Sequence, residues 1–139
     1  MKFLVDTCVI SEMMKTNPNS EVINWINKYP QDVLFLSVLS LGEIRKGINK
    51  LEQGPKKVQL NFWLENYILA KFENNLLHID TQIALLWGEK QAIAEKSGNR
   101  IALIYGLISA TALYYDFTVV TRNTKDFIKT GCKLFNPWE

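Results

Sequence analysis

The stretch "IALIYGLISATALYYDFTVVTRN", residues 101–123, decides the fold class of this 139-residue chain. Residues 104–115 are rich in Ala and Leu and carry little polar face, which predicts a buried helix. "FTVVT", residues 117–121, follows at once and predicts a short buried strand. An apolar helix that runs directly into an apolar strand is typical of a sheet covered by helices.

The same alternation extends outward over the rest of the chain. Short apolar runs predict further strands at 2–5, 33–37, 76–80 and 132–135. Amphipathic segments lie between them, and we expect Ser20 and Thr81 to cap two of the helices. Strands separated by helices predict a three-layer α/β/α sandwich with a mainly parallel central sheet. The length of the chain, 139 residues, favours a single domain over residues 1–139.

Composition excludes several classes of protein. Charged residues make up 22% of the chain and the net charge is +2, so bulk charge does not identify a nucleic-acid partner. No apolar run is long enough for a membrane span, and no membrane partner is expected. Cys8 and Cys132 are far apart, and His78 is the single histidine, which makes a disulfide scaffold or a zinc site improbable. A reducing cytoplasm is the expected setting.

Four polar residues stand at strand ends or helix starts. Asp6 ends the first strand, Asn123 follows the strand at 117–121, Glu43 lies near the start of a helix, and Asp126 follows shortly after Asn123. Each has an ordinary alternative as a helix cap, a first-turn acid or a surface charge. Taken together they fit a site for Mg²⁺ or Mn²⁺, which prefer oxygen ligands. Asp6 and Asn123 would border one cleft if their strands are neighbours.

Several stretches together resemble the PIN domains of VapC-type toxins. They follow in order along the chain: "FLVDTCVISEM" (3–13), "LSVLSLGEIRKGINKL" (36–51), "LISATAL" (107–113), "FTVVTRNTKDF" (117–127) and "NPWE" (136–139). The resemblance implies a PIN-like fold and an endoribonuclease that uses Mg²⁺ or Mn²⁺, the toxic half of a bacterial type II toxin–antitoxin pair. It further implies a cognate antitoxin, an RNA substrate, a homodimer or a toxin–antitoxin hetero-oligomer, and operator DNA reached only through the antitoxin.

The resemblance also assigns roles to residues. It makes Asp6 the first acid of the metal pocket and Glu43 the second, with Glu43 binding a water or serving as general base. Asn123 matches a position that is Asp or Asn in the family, and Asp126 is a nearby acid. We expect Thr7 and Arg122 to contact the phosphate of the substrate. Lysines after Glu43 guide the RNA backbone or form an ordinary solvated face: Lys46, Lys50, Lys56 and Lys57.

Tyr105 departs from the family pattern. The family places an Asp directly before the segment that matches Gly106–Ala112, and this chain has Tyr105 there. A phenol is neutral at pH 7 and brings no charge to balance a divalent cation. The favoured interpretation is a ribonuclease that is inactive or attenuated at Tyr105. The alternative is that Asp126 partly replaces the missing ligand and some activity survives.

Two other functions compete with the nuclease. In the first, the chain is a non-catalytic module that binds an antitoxin, with aromatics on amphipathic helices serving that contact or a dimer interface: Trp63, Tyr67 and Trp87. Core packing is the other interpretation of those aromatics. The second is an unrelated α/β hydrolase or phosphatase, which is disfavoured because the sequence has no Gly-rich phosphate loop, nucleophile elbow or catalytic His.

Overall fold

A computed structural model describes residues 1–139 and contains one five-stranded sheet. The strands are β1 (Phe3–Val5), β2 (Leu34–Ser37), β3 (Leu76–Leu77), β4 (Thr118–Val120) and β5 (Lys133–Phe135). They lie in the order β3-β2-β1-β4-β5, and all four neighbouring pairs are parallel. Parallel neighbours need crossover connections, which the intervening helices supply.

The helices differ in length and regularity. They are α1 (Thr7–Met13), α2 (Ser20–Lys28), α3 (Val38–Asn49), α4 (Pro55–Trp63), α5 (Leu69–Lys71), α6 (Thr81–Lys96), α7 (Leu103–Tyr115) and α8 (Thr124–Phe127). A π-helical turn at Leu64–Ile68 joins α4 to α5, so the segment predicted as one long helix is continuous but irregular in the middle. Short 3₁₀ turns occupy Gln31–Val33 and Ile128–Thr130.

The sheet buries apolar side chains on both of its faces. On one face, Phe3 and Val5 of β1 pack with residues from α1, α2, α3 and the 64–72 segment. On the other, Leu4 and Val119 pack with Ile108 and Ala112 of α7, and α6 lies against α7. Successive strand residues point to opposite faces, which explains how three consecutive buried residues serve two cores. The predicted three-layer α/β/α sandwich is confirmed.

Two predicted helix caps are one residue out of register. Asn19, not Ser20, caps α2, because its side-chain oxygen accepts hydrogen bonds from the backbone N–H groups of Glu21 and Val22. Asp80, not Thr81, caps α6 by accepting from the N–H of Ile83. In both places the residue just before the expected cap is Asn or Asp, which satisfies free helix N–H groups at least as well.

The centre of the sheet is where the strand order reverses. β1 pairs with β2 on one side and with β4 on the other, so Val5 faces Leu36 and Val120. Asp6 and the segment after Val120 therefore leave the sheet at its carboxyl edge as neighbours. In open parallel sheets this is where ligands bind. None of the helices combines the length and apolar character that crossing a bilayer requires.

Gly106 of α7 lies against Trp87 of α6, and this packing gives a prediction about stability. A Cβ at Gly106 would stand 2.9 Å from Nε1 of Trp87. We expect Gly106→Ala to lower the free energy of unfolding by about 1 kcal/mol, because overpacking costs about 1–3 kcal/mol and exceeds the roughly 0.5–1 kcal/mol gained from a helical Gly→Ala change. Urea denaturation measures the difference.

Gly88 in α6 supplies the matched control for that measurement. A Cβ at Gly88 meets nothing within 4 Å, so Gly88→Ala should raise the free energy of unfolding by about 0.5–1 kcal/mol. Equal stabilisation by both alanines would show that Trp87 moves aside freely, contrary to the packing described.

Candidate functional site

A cavity of about 360 Å³ opens at the carboxyl edge of β1 and β4. It brings together six of the seven residues that the sequence predicted for the site: Asp6, Thr7, Glu43, Tyr105, Arg122 and Asn123. They come from four places in the fold, namely the end of β1 with the start of α1, the middle of α3, the start of α7 and the segment after β4.

Asp6 forms the floor of the cavity. It is only 3% exposed, and its Oδ2 accepts a hydrogen bond from the Thr121 hydroxyl at 2.8 Å and from the Cys8 thiol at 3.5 Å. Burial raises the pKa of Asp6 above its usual value, and the negative charge of Glu43 adds to the rise, although these hydrogen bonds oppose it. Burial, reinforced by Asp6, also raises the pKa of the Cys8 thiol to about 11.

Glu43 stands on the opposite wall. Its Oε1 accepts a hydrogen bond from the Thr7 hydroxyl at 2.6 Å, and Thr7 Oγ1 also lies 2.9 Å from the Ser40 Oγ. Thr7 is the first residue of α1 and Glu43 lies in α3, so this bond ties two helices together at the cavity. The bond fixes one carboxylate oxygen of Glu43, and hydrogen bonds to a charged acceptor are stronger than neutral ones.

Tyr105 lines the cavity at the position where the resemblance predicted an acid. Its ring packs edge-on against Phe127, with ring centroids 5.0 Å apart and planes at 76°. Partial burial raises the pKa of the Tyr105 phenol, and Asp126, Asp6 and Glu43 raise it further. The phenol therefore remains neutral at pH 7. This side chain supplies an oxygen and a bulky ring, but no negative charge.

The structure treats Asn123 and Asp126 differently. Asn123 lines the cavity, and its backbone N–H donates to the Thr121 hydroxyl oxygen at 2.9 Å. Its side chain makes no capping bond to α8, so its amide is free. Asp126 is exposed on α8 and does not line the cavity. Its charge is nevertheless close enough to raise the pKa of Tyr105, so its predicted place near the acids of the pocket stays a prediction.

A match to a protein-family model identifies the family of this chain. The model described as PIN domain matches residues 3–131. The chain belongs to the PIN domain family. Toxin FitB of Neisseria gonorrhoeae is 36% identical to it over 135 residues, covering 97% of each chain. VapC ribonuclease Y4jK of Sinorhizobium fredii is 32% identical over 136 residues, covering 98% of this chain and 97% of the other.

A solved structure agrees with these sequence relatives. A chain in the structure of FitAB bound to an IR36 DNA fragment superimposes with a TM-score of 0.92. It is 34% identical, and the match covers 99% of this chain and 96% of that one. The PIN domain described here therefore keeps the whole framework of that relative, and the departure at Tyr105 sits within an otherwise unaltered fold.

The oxygen donors in the cavity of this PIN domain suit a hard divalent cation, but they are few. Asp6 and Glu43 provide two carboxylates and Asn123 adds an amide oxygen, whereas the Glu12 carboxylate, which also lines the cavity, is already paired with Lys15. Mg²⁺ is commonly held by one or two carboxylates, with waters completing its shell. No group of three or more His, Cys, Asp or Glu side chains is arranged to hold a metal ion, and the position at which the resemblance predicted a further acid is Tyr105. The residues present thus fit the type of ion and predict weak binding.

Five cavity residues were missed by sequence reasoning. Four of them repeat at helical spacing on one face of α1 and its end, a periodic signal that was available in the sequence: Cys8, Ser11, Glu12 and Lys15. Trp138 is the fifth, and its position had no signal because it depends on how the last residues fold back over β4.

Glu12 gives a prediction about pH. This buried carboxylate pairs with Lys15 at 2.9 Å and accepts from the backbone N–H of Asn19 at 2.8 Å, which joins α1 to the start of α2. The Lys15 and Asn19 contacts lower the pKa of Glu12 below its usual 4.5. Because the folded pKa is depressed, this stabilisation is present above pH 4.5 and is lost as the pH falls through the folded value.

We expect Glu12→Gln to lower the free energy of unfolding at pH 7 by about 1 kcal/mol, since a hydrogen bond to a charged group is replaced by a neutral one. Urea denaturation at several pH values checks this. The difference between the two proteins should shrink as the pH falls below 4.5, and a constant difference at all pH values would show that the charge of Glu12 is not the cause.

Proposed function

We propose that this chain is the toxin of a type II toxin–antitoxin pair, built as a single PIN domain over residues 1–139. Its reaction is the Mg²⁺- or Mn²⁺-dependent hydrolysis of RNA phosphodiester bonds, and Tyr105 attenuates that reaction. The main support is the cavity that Asp6 and Glu43 line together with Arg122 and Asn123. The relatives named toxin FitB and VapC ribonuclease support the same class.

Each cavity residue has a defined role in this proposal. Asp6 and Glu43 hold the divalent cation, which when bound lowers the pKa of water and offsets the charge of the phosphate. Glu43, oriented by Thr7, accepts the proton of the attacking water. Asn123 orients that water through its free amide, and Arg122 binds the phosphate. These steps need a dianionic pocket to balance the cation, and a third carboxylate would strengthen it.

Tyr105 weakens the site in two ways. Its neutral phenol leaves the cation one negative charge short of the family pattern. Its ring, anchored against Phe127, occupies part of the cavity in which the cation and its waters would sit. We infer a chain that folds normally, binds Mg²⁺ or Mn²⁺ weakly and cleaves RNA slowly. Because its substrate is RNA, the cytoplasm is the compartment in which it acts.

A second function rests on the exposed apolar surface of α4 and the turn after it. Val58, Phe62 and Tyr67 are 69%, 67% and 48% exposed. Trp63 is half-buried and stacks on Tyr67, with ring centroids 6.0 Å apart. Trp87 of α6 is instead packed against Gly106 of α7 and does not belong to this surface. Such a surface suits an antitoxin segment, and the chain would then act as a binding module, a homodimer or hetero-oligomer that reaches operator DNA through its partner. The FitAB structure on a DNA fragment supports that role.

One measurement separates the two functions. RNA is incubated in Mn²⁺ with this chain and with its Tyr105→Asp variant, and the products are resolved on a denaturing gel. Cleavage that the Asp variant performs and EDTA abolishes supports the ribonuclease. No cleavage by either protein, together with capture of a small protein encoded beside the gene, leaves the binding role.

A further inference from the structure

Trp138 closes one side of the cavity from the far end of the chain. It lines the same space as Asp6 and Glu43, and the Arg122 guanidinium carbon lies 5.4 Å from the centroid of its ring. A cation within about 6 Å of an indole face is attracted by the ring electrons. The pair therefore forms a rim in which the aromatic ring and the guanidinium are held together.

Arg122 contacts this ring and forms no ion pair with a carboxylate, although its charge helps to lower the pKa of Glu12. The three ion pairs of the protein join Lys15 to Glu12, Arg45 to Glu65 and Lys133 to Asp116. Arg122 forms none of them, although it lines the cavity together with Asp6, Glu12 and Glu43. A guanidinium carries five N–H donors in a fork that matches a phosphate. Those of Arg122 are available at the cavity rim.

Both partners are fixed at their backbones. The Arg122 N–H donates to the Cys8 sulfur at 3.4 Å. The Trp138 N–H donates to the Asn136 side-chain oxygen at 2.9 Å, and the intervening Pro137 is buried. The indole packs against the core that contains Phe3 and Val5 of β1. The position of the Trp138 ring is therefore fixed. The Arg122 side chain is exposed, and its contact with the ring limits the rotamers that it can adopt.

We propose that Trp138 is a positioning residue, whose ring holds the Arg122 guanidinium at the cavity rim in the orientation that binds a phosphate of the RNA strand. The reason is competition: without the ring, the flexible side chain of Arg122 turns inward to the carboxylates of Asp6, Glu12 and Glu43. An inward Arg122 pairs with the groups needed for the cation and no longer meets the substrate. This inference rests on the proposed function, because it takes RNA as the ligand.

The test is equilibrium binding of a fluorescein-labelled single-stranded RNA in EDTA, where no cleavage occurs, followed by anisotropy. We expect Arg122→Ala to weaken binding about 10-fold, the usual effect of losing a charged hydrogen bond. Trp138→Leu should weaken it about 3-fold, as expected for a lost cation–π contact. The double variant should bind as Arg122→Ala alone, and Trp138→Phe, which keeps a ring, should restore most of the affinity.

Two controls show that the effects are specific. Arg45→Ala removes the same charge from a guanidinium that already pairs with Glu65, and it should change RNA affinity less than 2-fold. Ring-current displacement of the Arg122 side-chain NMR signals should be present in the native chain and in Trp138→Phe but absent in Trp138→Leu. That signal reports the contact itself and does not depend on RNA.

The remaining outcomes each overturn a defined statement. A roughly 30-fold loss in the double variant, the product of the two single effects, would show that Trp138 acts independently of Arg122. Equal losses in Trp138→Phe and Trp138→Leu would assign Trp138 to core packing. If RNA binding falls in Arg122→Ala but not in Trp138→Leu, the positioning role of Trp138 is rejected, but the proposed ribonuclease function is not. Absence of RNA binding by both this chain and its Tyr105→Asp form rejects the ribonuclease as well.

Discussion

Changing Tyr105 to Asp is expected to raise the rate of RNA cleavage in Mn²⁺ at least about 100-fold, the scale on which metal sites respond to loss of a supporting group. The variant adds a third carboxylate beside Asp6 and Glu43 and removes the ring from the cavity. The new acid also lies in the first turn of α7, where the helix dipole favours a negative charge. Initial rates of cleavage at equal Mn²⁺ measure the change.

Two further variants separate charge from volume. Tyr105→Asn empties the same space without adding charge, and Tyr105→Phe keeps the ring, so both should stay within a few-fold of the native rate. Mn²⁺ should raise the melting temperature of Tyr105→Asp much more than that of the native chain, because a ligand at about 100 times its Kd stabilises by about 2.7 kcal/mol. Comparable cleavage by the native and Asp forms would contradict the attenuation by Tyr105.

Replacing Asp6 by Asn should have opposite effects on activity and on stability. In the Tyr105→Asp background, we expect RNA cleavage to fall about 1000-fold, because the cation that would stabilise the developing negative charge loses a carboxylate ligand. Without metal, the same change should raise the free energy of unfolding at pH 7 by about 1 kcal/mol, the usual gain when a strained functional group is removed. The Thr121 hydroxyl can still donate to the new amide oxygen.

The pH dependence of that gain follows from the sign of the pKa shift. Because burial raises the pKa of Asp6, the folded state disfavours ionised Asp6, and this penalty grows as the pH rises above 3.8. The stability difference between Asp6→Asn and its parent should therefore be largest near neutral pH and small near pH 3. Urea denaturation in EDTA checks it. A less stable Asn variant at pH 7 would show that the carboxylate stabilises the fold.

Asp126→Asn in the native background tests the other interpretation of Tyr105. Asp126 is exposed and lies outside the cavity, so this change should leave any residual cleavage within about 2-fold, as for most surface substitutions. Loss of the residual activity would instead show that Asp126 substitutes for the missing ligand. Its charge does reach the site, since it raises the pKa of Tyr105.

The sequence was most informative about the sheet and about the residues at its carboxyl edge. Apolar runs separated by helices predicted the parallel sheet, and Asp6 and Asn123 were placed together because parallel strands share a carboxyl edge. Glu43 was found by its position beside the buried stripe of α3. Helix caps were displaced by one residue because Asn19 and Ser20, like Asp80 and Thr81, are adjacent residues that both suit a cap.

What was missed depends on directions that a one-dimensional pattern does not contain. Asp126 is three residues from Asn123, but the turn of α8 carries it outside the cavity. Trp138 lies far from Asp6 in sequence, and only the return of the chain after β5 brings it to the rim. The role of Arg122 was predicted from its charge, whereas its contact with an aromatic ring required coordinates.

The placement of β1 between β2 and β4 also sets the order in which the molecule is completed during synthesis. Asp6 is synthesised 115 residues before its Thr121 partner, and the β4 strand beside it also follows long after β1. A growing polypeptide consequently carries the first acid without the wall that faces it. The cavity therefore cannot form until the segment that follows β4 has been synthesised and has folded back beside β1.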